Sequence, residues 1–225
     1  MTGNVTIASA AYQQVRADII AGRLTPGAKL RIRDVCQRYE VSITPMREAL
    51  NRLASEQLVV LNDQRGFAVS GISRAQLEEL TNTRVWLNDV ALRRSIEFGD
   101  LAWEEHVLLS YHRLARVPRY AGAADSELNP DWDPPHRAFH SALNAACPSR
   151  WICGYCDQLF DQSSRYRNLS RAIVMKERGD LDEHRPIMEA VIARDADRAV
   201  ALMTRHVTET TKILLDRWSD IAAGA

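Results

Sequence analysis

Residues 30–69 read LRIRDVCQRYEVSITPMREALNRLASEQLVVLNDQRGFAV, and this stretch decides the fold. Ile32, Val35 and Cys36 recur at helical spacing, which predicts a short helix over Arg31–Tyr39. Glu40-Val41 is a turn. Ser42 is a residue type that opens helices, because its hydroxyl accepts from an amide that the first turn leaves without a partner. Met46, Ala49, Leu50 and Leu53 then form the apolar stripe of a helix over Ile43–Gln57. Val59–Leu61 and Phe67–Val69 are short β-type runs joined by Asn62-Asp-Gln-Arg-Gly66, a hairpin loop whose glycine suits a positive φ. Helix, turn, helix and hairpin in this order make a winged helix-turn-helix with a small β-hairpin wing.

Outward from this stretch, residues 8–22 carry Ala11, Val15, Ile19 and Ile20 on one helical face, and Leu24-Thr-Pro-Gly27 ends that helix. Beyond residue 72 the pattern is helical throughout. Helices are predicted from Ser73 to Phe98, from Asp100 to about Val117, and over 133–146, 149–171, 180–193 and 195–219, with a loop at 118–130. The expected fold is therefore mainly α: a winged helix-turn-helix over 1–72 and an all-α bundle over 73–225.

Composition fits this division. Residues 1–75 hold ten Lys/Arg against six Asp/Glu, which leaves 19 against 23 in the remainder of a chain with zero net charge. A basic head on an acidic body suits a nucleic-acid-binding module joined to a part that does not touch phosphate. No run approaches the roughly 18 apolar residues needed to cross a bilayer, and the first residues lack the charged-then-apolar pattern of a signal peptide. A cytoplasmic protein with no membrane partner is expected. Four cysteines, at 36, 147, 153 and 156, are too few and too uneven for a disulfide framework. Cys153 and Cys156 fall inside a predicted helix, with no second such pair, and are read as packing residues.

The third helix carries the recognition chemistry. Its first turn offers the hydroxyls of Ser42 and Thr44 and the guanidinium of Arg47. An arginine can bridge guanine O6 and N7, and hydroxyls can donate to phosphate or base. Arg33 on the preceding helix is within reach of the same groove. Arg52, further along, is a DNA-binding candidate for the duplex backbone, with solvent as the alternative. Arg65 and Gly66 at the hairpin tip suit an adjacent minor groove. For each residue alone the alternative is a solvated side chain.

Through these residues the stretch resembles the GntR family of transcription regulators. It keeps Val41, Ser42, Thr44, Pro45, Arg47, Glu48, Ala49, Leu50, Arg52 and Leu53 of the family's segment. The resemblance implies DNA contacts at Arg33, Ser42, Thr44, Arg47 and the wing glycine Gly66. Ile43 departs from the polar residue or arginine common at its position. Gln57 stands where a helix-ending glycine is usual.

Six histidines lie beyond the head, at 106, 112, 136, 140, 184 and 206. His136 and His140 are four apart and share a helix face. His184 and His206 each border an apolar stretch on later helices. Imidazoles from three helices converging in a bundle would make a nitrogen-rich site for Zn²⁺, Ni²⁺ or a similar ion, and the alternative for each is a hydrogen-bonded core histidine. The C-terminal region resembles the FCD domain of the FadR branch of the family, through Thr83–Leu92, His136–Leu143, Ser164–Arg167, Asp182–Ala190 and Met203–Val207. That resemblance implies metal ligands at His136, His140, His184 and His206, the first in place of the commoner aspartate. It also implies that Arg84 and Arg165 point into the cavity, where either can pair a carboxylate.

The expected protein is a DNA-binding regulator, a repressor working as a homodimer on a pseudo-palindromic operator. A small carboxylate effector at the histidine-bound metal would control it. Two alternatives stand beside it: a regulator for which the metal is itself the signal, and a metal-dependent hydrolytic enzyme. The enzyme lacks a clear general base, since Glu183 and Glu189 qualify only by proximity, and it leaves the N-terminal motif without a purpose.

Overall fold

A computed structural model describes residues 6–62, 66–121, 127–169 and 183–223. These residues divide into two compact units. Of the described residues, the first gathers those within 6–73 together with 164–169, and the second gathers those within 74–163 together with 183–223.

In the first unit, α1 (Ile7–Ile20) is followed by β1 (Lys29–Leu30), α2 (Ile32–Tyr39), α3 (Ile43–Ser55), β2 (Val59–Asn62) and β3 (Gly66–Val69). Thr6 opens α1 by accepting from the Ser9 amide. The apolar stripes meet in one core: Ala11, Val15 and Ile19 from α1, Met46, Ala49, Leu50 and Leu53 from α3, and Leu58, Val59 and Val69 from the wing. Burying each of the Val, Leu, Ile and Met side chains among them contributes about 1.5–3 kcal/mol. The wing is a three-stranded antiparallel sheet in the order β1-β3-β2, with Leu30 opposite Phe67 and Val59 opposite Val69. The hairpin was expected. The third strand was not, because two residues carry no readable period. Gly66 takes φ +77°, as its place in the hairpin suggested, whereas Arg65 lies outside the described residues.

The second unit contains α4 (Arg74–Phe98), α5 (Leu101–Ala115), a short ribbon of β4 (Tyr120–Ala121) and β5 (Glu127–Leu128), and a 3₁₀ turn over Pro130–Trp132. It continues through α6 (Asp133–Asn144), α7 (Arg150–Leu169) up to Ser163, α8 (His184–Ile192), α9 (Ala196–Asp216) and α10 (Trp218–Ala223), the end of α7 belonging to the first unit. The unit is helical as expected, with this two-residue ribbon added within the predicted loop, and the last predicted helix is broken at Arg217. Asp100 and Asp195 cap α5 and α9 by accepting from the amides of Trp103 and Arg198. At Gly99 an added Cβ would lie 2.0 Å from the Trp103 ring, so only glycine admits the tight join between α4 and α5. The core gathers Leu92, Ile96, Trp103, Val107, Phe139, Leu143, Ile187, Val191, Met203 and Val207. Trp103 Nε1 donates to the Ala142 carbonyl at 2.9 Å, and Thr81 and Thr211 hydroxyls meet at 2.7 Å between α4 and α9. Among the described residues no helix is long and apolar enough to cross a membrane.

Candidate metal centre and nucleic-acid interface

The metal centre begins with the start of α6. Asn129 accepts from the Asp131 amide and opens the 3₁₀ turn, and Asp133 with the prolines at 134 and 135 starts the helix proper. Proline suits these first positions, where no amide bond is lost. One turn inward, His136 and His140 point to the same side. Arg137 grips Asp161 on α7 with two hydrogen bonds, of 2.8 and 3.1 Å, and Ser141 donates to Asp157 at 2.6 Å. The helix that carries the two imidazoles is thereby pinned to α7.

His184 opens α8 and His206 lies within α9. The four histidines are all buried, and each offers one nitrogen within 4.8 Å of the other three. His136 Nε2 and His140 Nε2 are 3.1 Å apart. Around an ion held at the usual 2.0–2.1 Å, neighbouring nitrogens lie about 3.0–3.4 Å apart, so this pair already stands at ligand spacing. The donor set fits a borderline transition metal: neutral imidazole nitrogens, with none of the several carboxylate oxygens that a hard ion such as Ca²⁺ prefers. The cluster can hold a metal ion.

The surroundings orient these rings. His206 Nδ1 lies 2.7 Å from the Glu183 carboxylate. A carboxylate accepts, so Nδ1 is the donor in this contact, which leaves Nε2 as the nitrogen to bind a metal. Trp132 stacks on His136 with centroids 4.0 Å apart and planes at 22°. Phe160 lies 5.3 Å from the His136 ring and 5.1 Å from that of His140. Sequence reasoning missed Glu183 in this role, along with Trp132 and Phe160. The spacing of Trp132 to His136, four residues along a helical path, was the one available signal. Glu183 meets a ring 23 residues away, which local spacing does not reveal.

Arg84 is buried, donates to Ser163 Oγ at 2.8 Å and lies 5.8 Å from the centre of the Phe160 ring. One phenyl ring therefore separates this cation from the imidazoles of α6. Arg165 is also buried, and its guanidinium donates to the Ser70 carbonyl within the first unit. Burial pushes the Cys153 thiol up to about 11 and the Cys156 thiol up to about 12, and neighbouring thiols add to both shifts. Neither is a ready thiolate.

In the first unit, Ser42 precedes α3 but makes no side-chain capping bond, so its hydroxyl stays exposed beside Thr44 and Arg47. Arg33 is exposed on α2, and Ile43, at 49 % exposure, leaves an apolar side chain on the same surface. Arg52 is turned toward α1, donating to Ser9 Oγ at 3.2 Å and covering the Tyr12 ring at 4.1 Å. Gln57, in the glycine position, adopts φ +60°.

Residues 7–69 match the family described as bacterial regulatory proteins, gntR family, and residues 79–209 match the FCD domain. The chain is 36 % identical over 209 residues to the HTH-type transcriptional regulator BphR of Paraburkholderia xenovorans (strain LB400), covering 93 % of this chain and 85 % of that protein. It is 33 % identical over 207 residues to the HTH-type transcriptional repressor GlaR of Escherichia coli (strain K12), covering 90 % and 93 %. The E. coli McbR/YncC structure shares the fold with a TM-score of 0.77 at 19 % identity, over 96 % of this chain and 100 % of that one. These matches mark a regulator and not an enzyme. The protein belongs to the gntR family of bacterial regulatory proteins, as a DNA-binding transcription regulator with an FCD domain.

Proposed function

We propose that this regulator is a repressor whose hold on its operator is set by a small carboxylate recognised at a metal centre in its second unit. The buried cluster of four imidazoles carries the reading. Four polar rings brought together in a core are costly unless each nitrogen has something to bind, and a transition metal, Zn²⁺ or Ni²⁺, satisfies all four at once. His136, His140, His184 and His206 would hold it, with Glu183 fixing the His206 ring. A bound ion would supply open coordination positions for a carboxylate oxygen. Arg84, buried next to Phe160, is the residue placed to take a second carboxylate of the same ligand. The name of the relative GlaR, a repressor, supports the sign of the effect.

Residues 1–72 are the DNA-binding domain and 73–225 the effector domain. Two chains pair and present two α3 helices to a pseudo-palindromic operator in the cytoplasm. Arg33, Ser42, Thr44, Arg47 and Gly66 meet the duplex. The effector changes operator affinity only by the difference in its own affinity for the two states of the dimer.

The test is elemental analysis of untagged protein together with operator binding. About one transition metal per chain is expected, lost in a His140→Ala/His184→Ala double variant. Operator release should follow added di- or hydroxycarboxylates in the metal-loaded protein. Release by chelator alone, with no response to any acid, would replace this reading with a metal sensor. A wild type without bound metal, and unable to take it up, would overturn it.

A further inference from the structure

The basic side chains of the first unit fall into two groups. Arg16 pairs with Glu56, Arg23 and Arg38 both pair with Asp18, and Arg52 covers Tyr12. Among the described residues, the side chains of Lys29, Arg31, Arg33 and Arg47 make no ion pair or hydrogen bond, and all four are exposed. Arg33 and Arg47 stand in the family's DNA contacts. Arg31 does not, and its position is unfavourable for folding. It occupies the N-cap of α2, where Ser, Thr, Asp or Asn would supply a capping oxygen, and it makes no cap bond. A cation there also opposes the helix dipole. A locally costly residue with no structural return marks a functional position.

Arg31 lines an open groove of about 400 Å³ between α3 and the wing. Arg47 and Asn51, one turn apart on α3, line it as well, and Gly66 and Phe67 of β3 close its other side. Two unpaired guanidiniums, which only donate, and an exposed carboxamide, whose NH2 can donate, border a space bounded by a glycine that lets backbone approach closely. The matching ligand is an anion with several acceptor oxygens. On this DNA-binding surface that anion is a backbone phosphate.

We propose that Arg31 and Asn51 bind a phosphate of the duplex in this groove, beside Arg47 of the base-reading turn of α3. The proposal rests on the DNA-binding assignment. In it, Arg31 supplies charge and Asn51 a neutral donor, so the two residues affect binding differently. Phosphate contacts fix position and carry no sequence information. Each cationic contact also releases counterions, worth about 0.9 in the slope of log affinity against log salt.

The test uses the full-length protein and two labelled duplexes, one of random sequence and one that the protein selects from a random pool, titrated across 50–200 mM salt. Arg31→Ser is expected to weaken both duplexes by one common factor and to lower the salt slope by about 0.9. The same variant should raise the melting temperature, because serine restores the missing cap. A merely structural role would lower stability and affinity together. Arg31→Lys should keep the slope. Asn51→Ala should weaken both duplexes with the slope unchanged. Arg47→Ala, by contrast, should cost the selected duplex roughly ten- to hundredfold more than the random one. An unchanged slope in Arg31→Ser, or a loss confined to the selected duplex in either variant, would overturn the proposal while leaving the DNA-binding assignment in place. A wild type that binds neither duplex would overturn both.

Discussion

Asp18 shows how one carboxylate organises the DNA-binding unit. It accepts from Tyr39 Oη at 2.6 Å, Arg23 Nε at 2.7 Å and Arg38 Nη2 at 3.1 Å, tying α1 to α2 and to the turn between them. Burial works against its ionised form, but the bonds from Tyr39 and Arg23 and the charges of Arg23 and Arg38 outweigh it and hold its pKa below the ordinary 3.8. A folded pKa below the unfolded one contributes stability that is complete above 3.8 and is lost as pH falls through the folded value. Asp18→Asn should therefore lower stability near neutral pH by about 1–3 kcal/mol in urea melts, and the gap to wild type should close below about pH 4. A gap of constant size down to pH 2 would refute the assignment. Residue types were legible in the sequence at this scale, but their partners were not. Ser42 was readable as a helix opener, yet whether its hydroxyl turns to the helix or to solvent depends on a side-chain rotamer. Arg84 was reached only through family resemblance, because its partner Ser163 lies 79 residues along the chain.

Helices and their faces were legible because the 3.6-residue period repeats over several turns, as in α3 with Met46, Ala49, Leu50 and Leu53. The two-residue strands β1, β4 and β5 were not, since long-range pairing alone defines them. The end of α3 is a further case. The Gln57 amide bonds to the Ala54 carbonyl at 3.0 Å and the Leu58 amide to the Leu53 carbonyl at 3.0 Å, the paired closure that normally uses glycine. Gln57 makes it at φ +60°, in the left-handed region that disfavours a side chain. Glu40 and Arg194 close α2 and α8 in the same way, at φ +54° and +58°. Gln57→Gly should stabilise the protein by about 1 kcal/mol, read as a higher urea midpoint with an unchanged slope. A loss of stability would mean that the glutamine side chain contributes more than its backbone costs.

For the whole molecule, the basic head and acidic body were visible in charge counts alone, and each part has its own core. The four histidines were visible as candidates, but their convergence depends on α6, α8 and α9 packing together. A ligand bound only by the folded state stabilises by about 4 kcal/mol at a thousandfold excess over its dissociation constant. Removal of metal by a chelator should lower the melting temperature of the helical unit in scanning calorimetry and leave that of the winged unit in place. Equal shifts in both, or none, would count against a metal resident among the histidines.

The stacking of Trp132 on His136 gives the metal centre an optical gauge of its own. The indole is 7 % exposed and Trp103 6 %, whereas Trp86 and Trp151 are 68 % and 67 % exposed, so Trp132 and Trp103 emit at the blue edge of the spectrum and only the first touches a histidine of the cluster. A change in what the imidazole binds is felt by the ring 4.0 Å away. Occupancy can then be followed without a label, in the same cuvette as a DNA titration, with Trp132→Phe as the dark control.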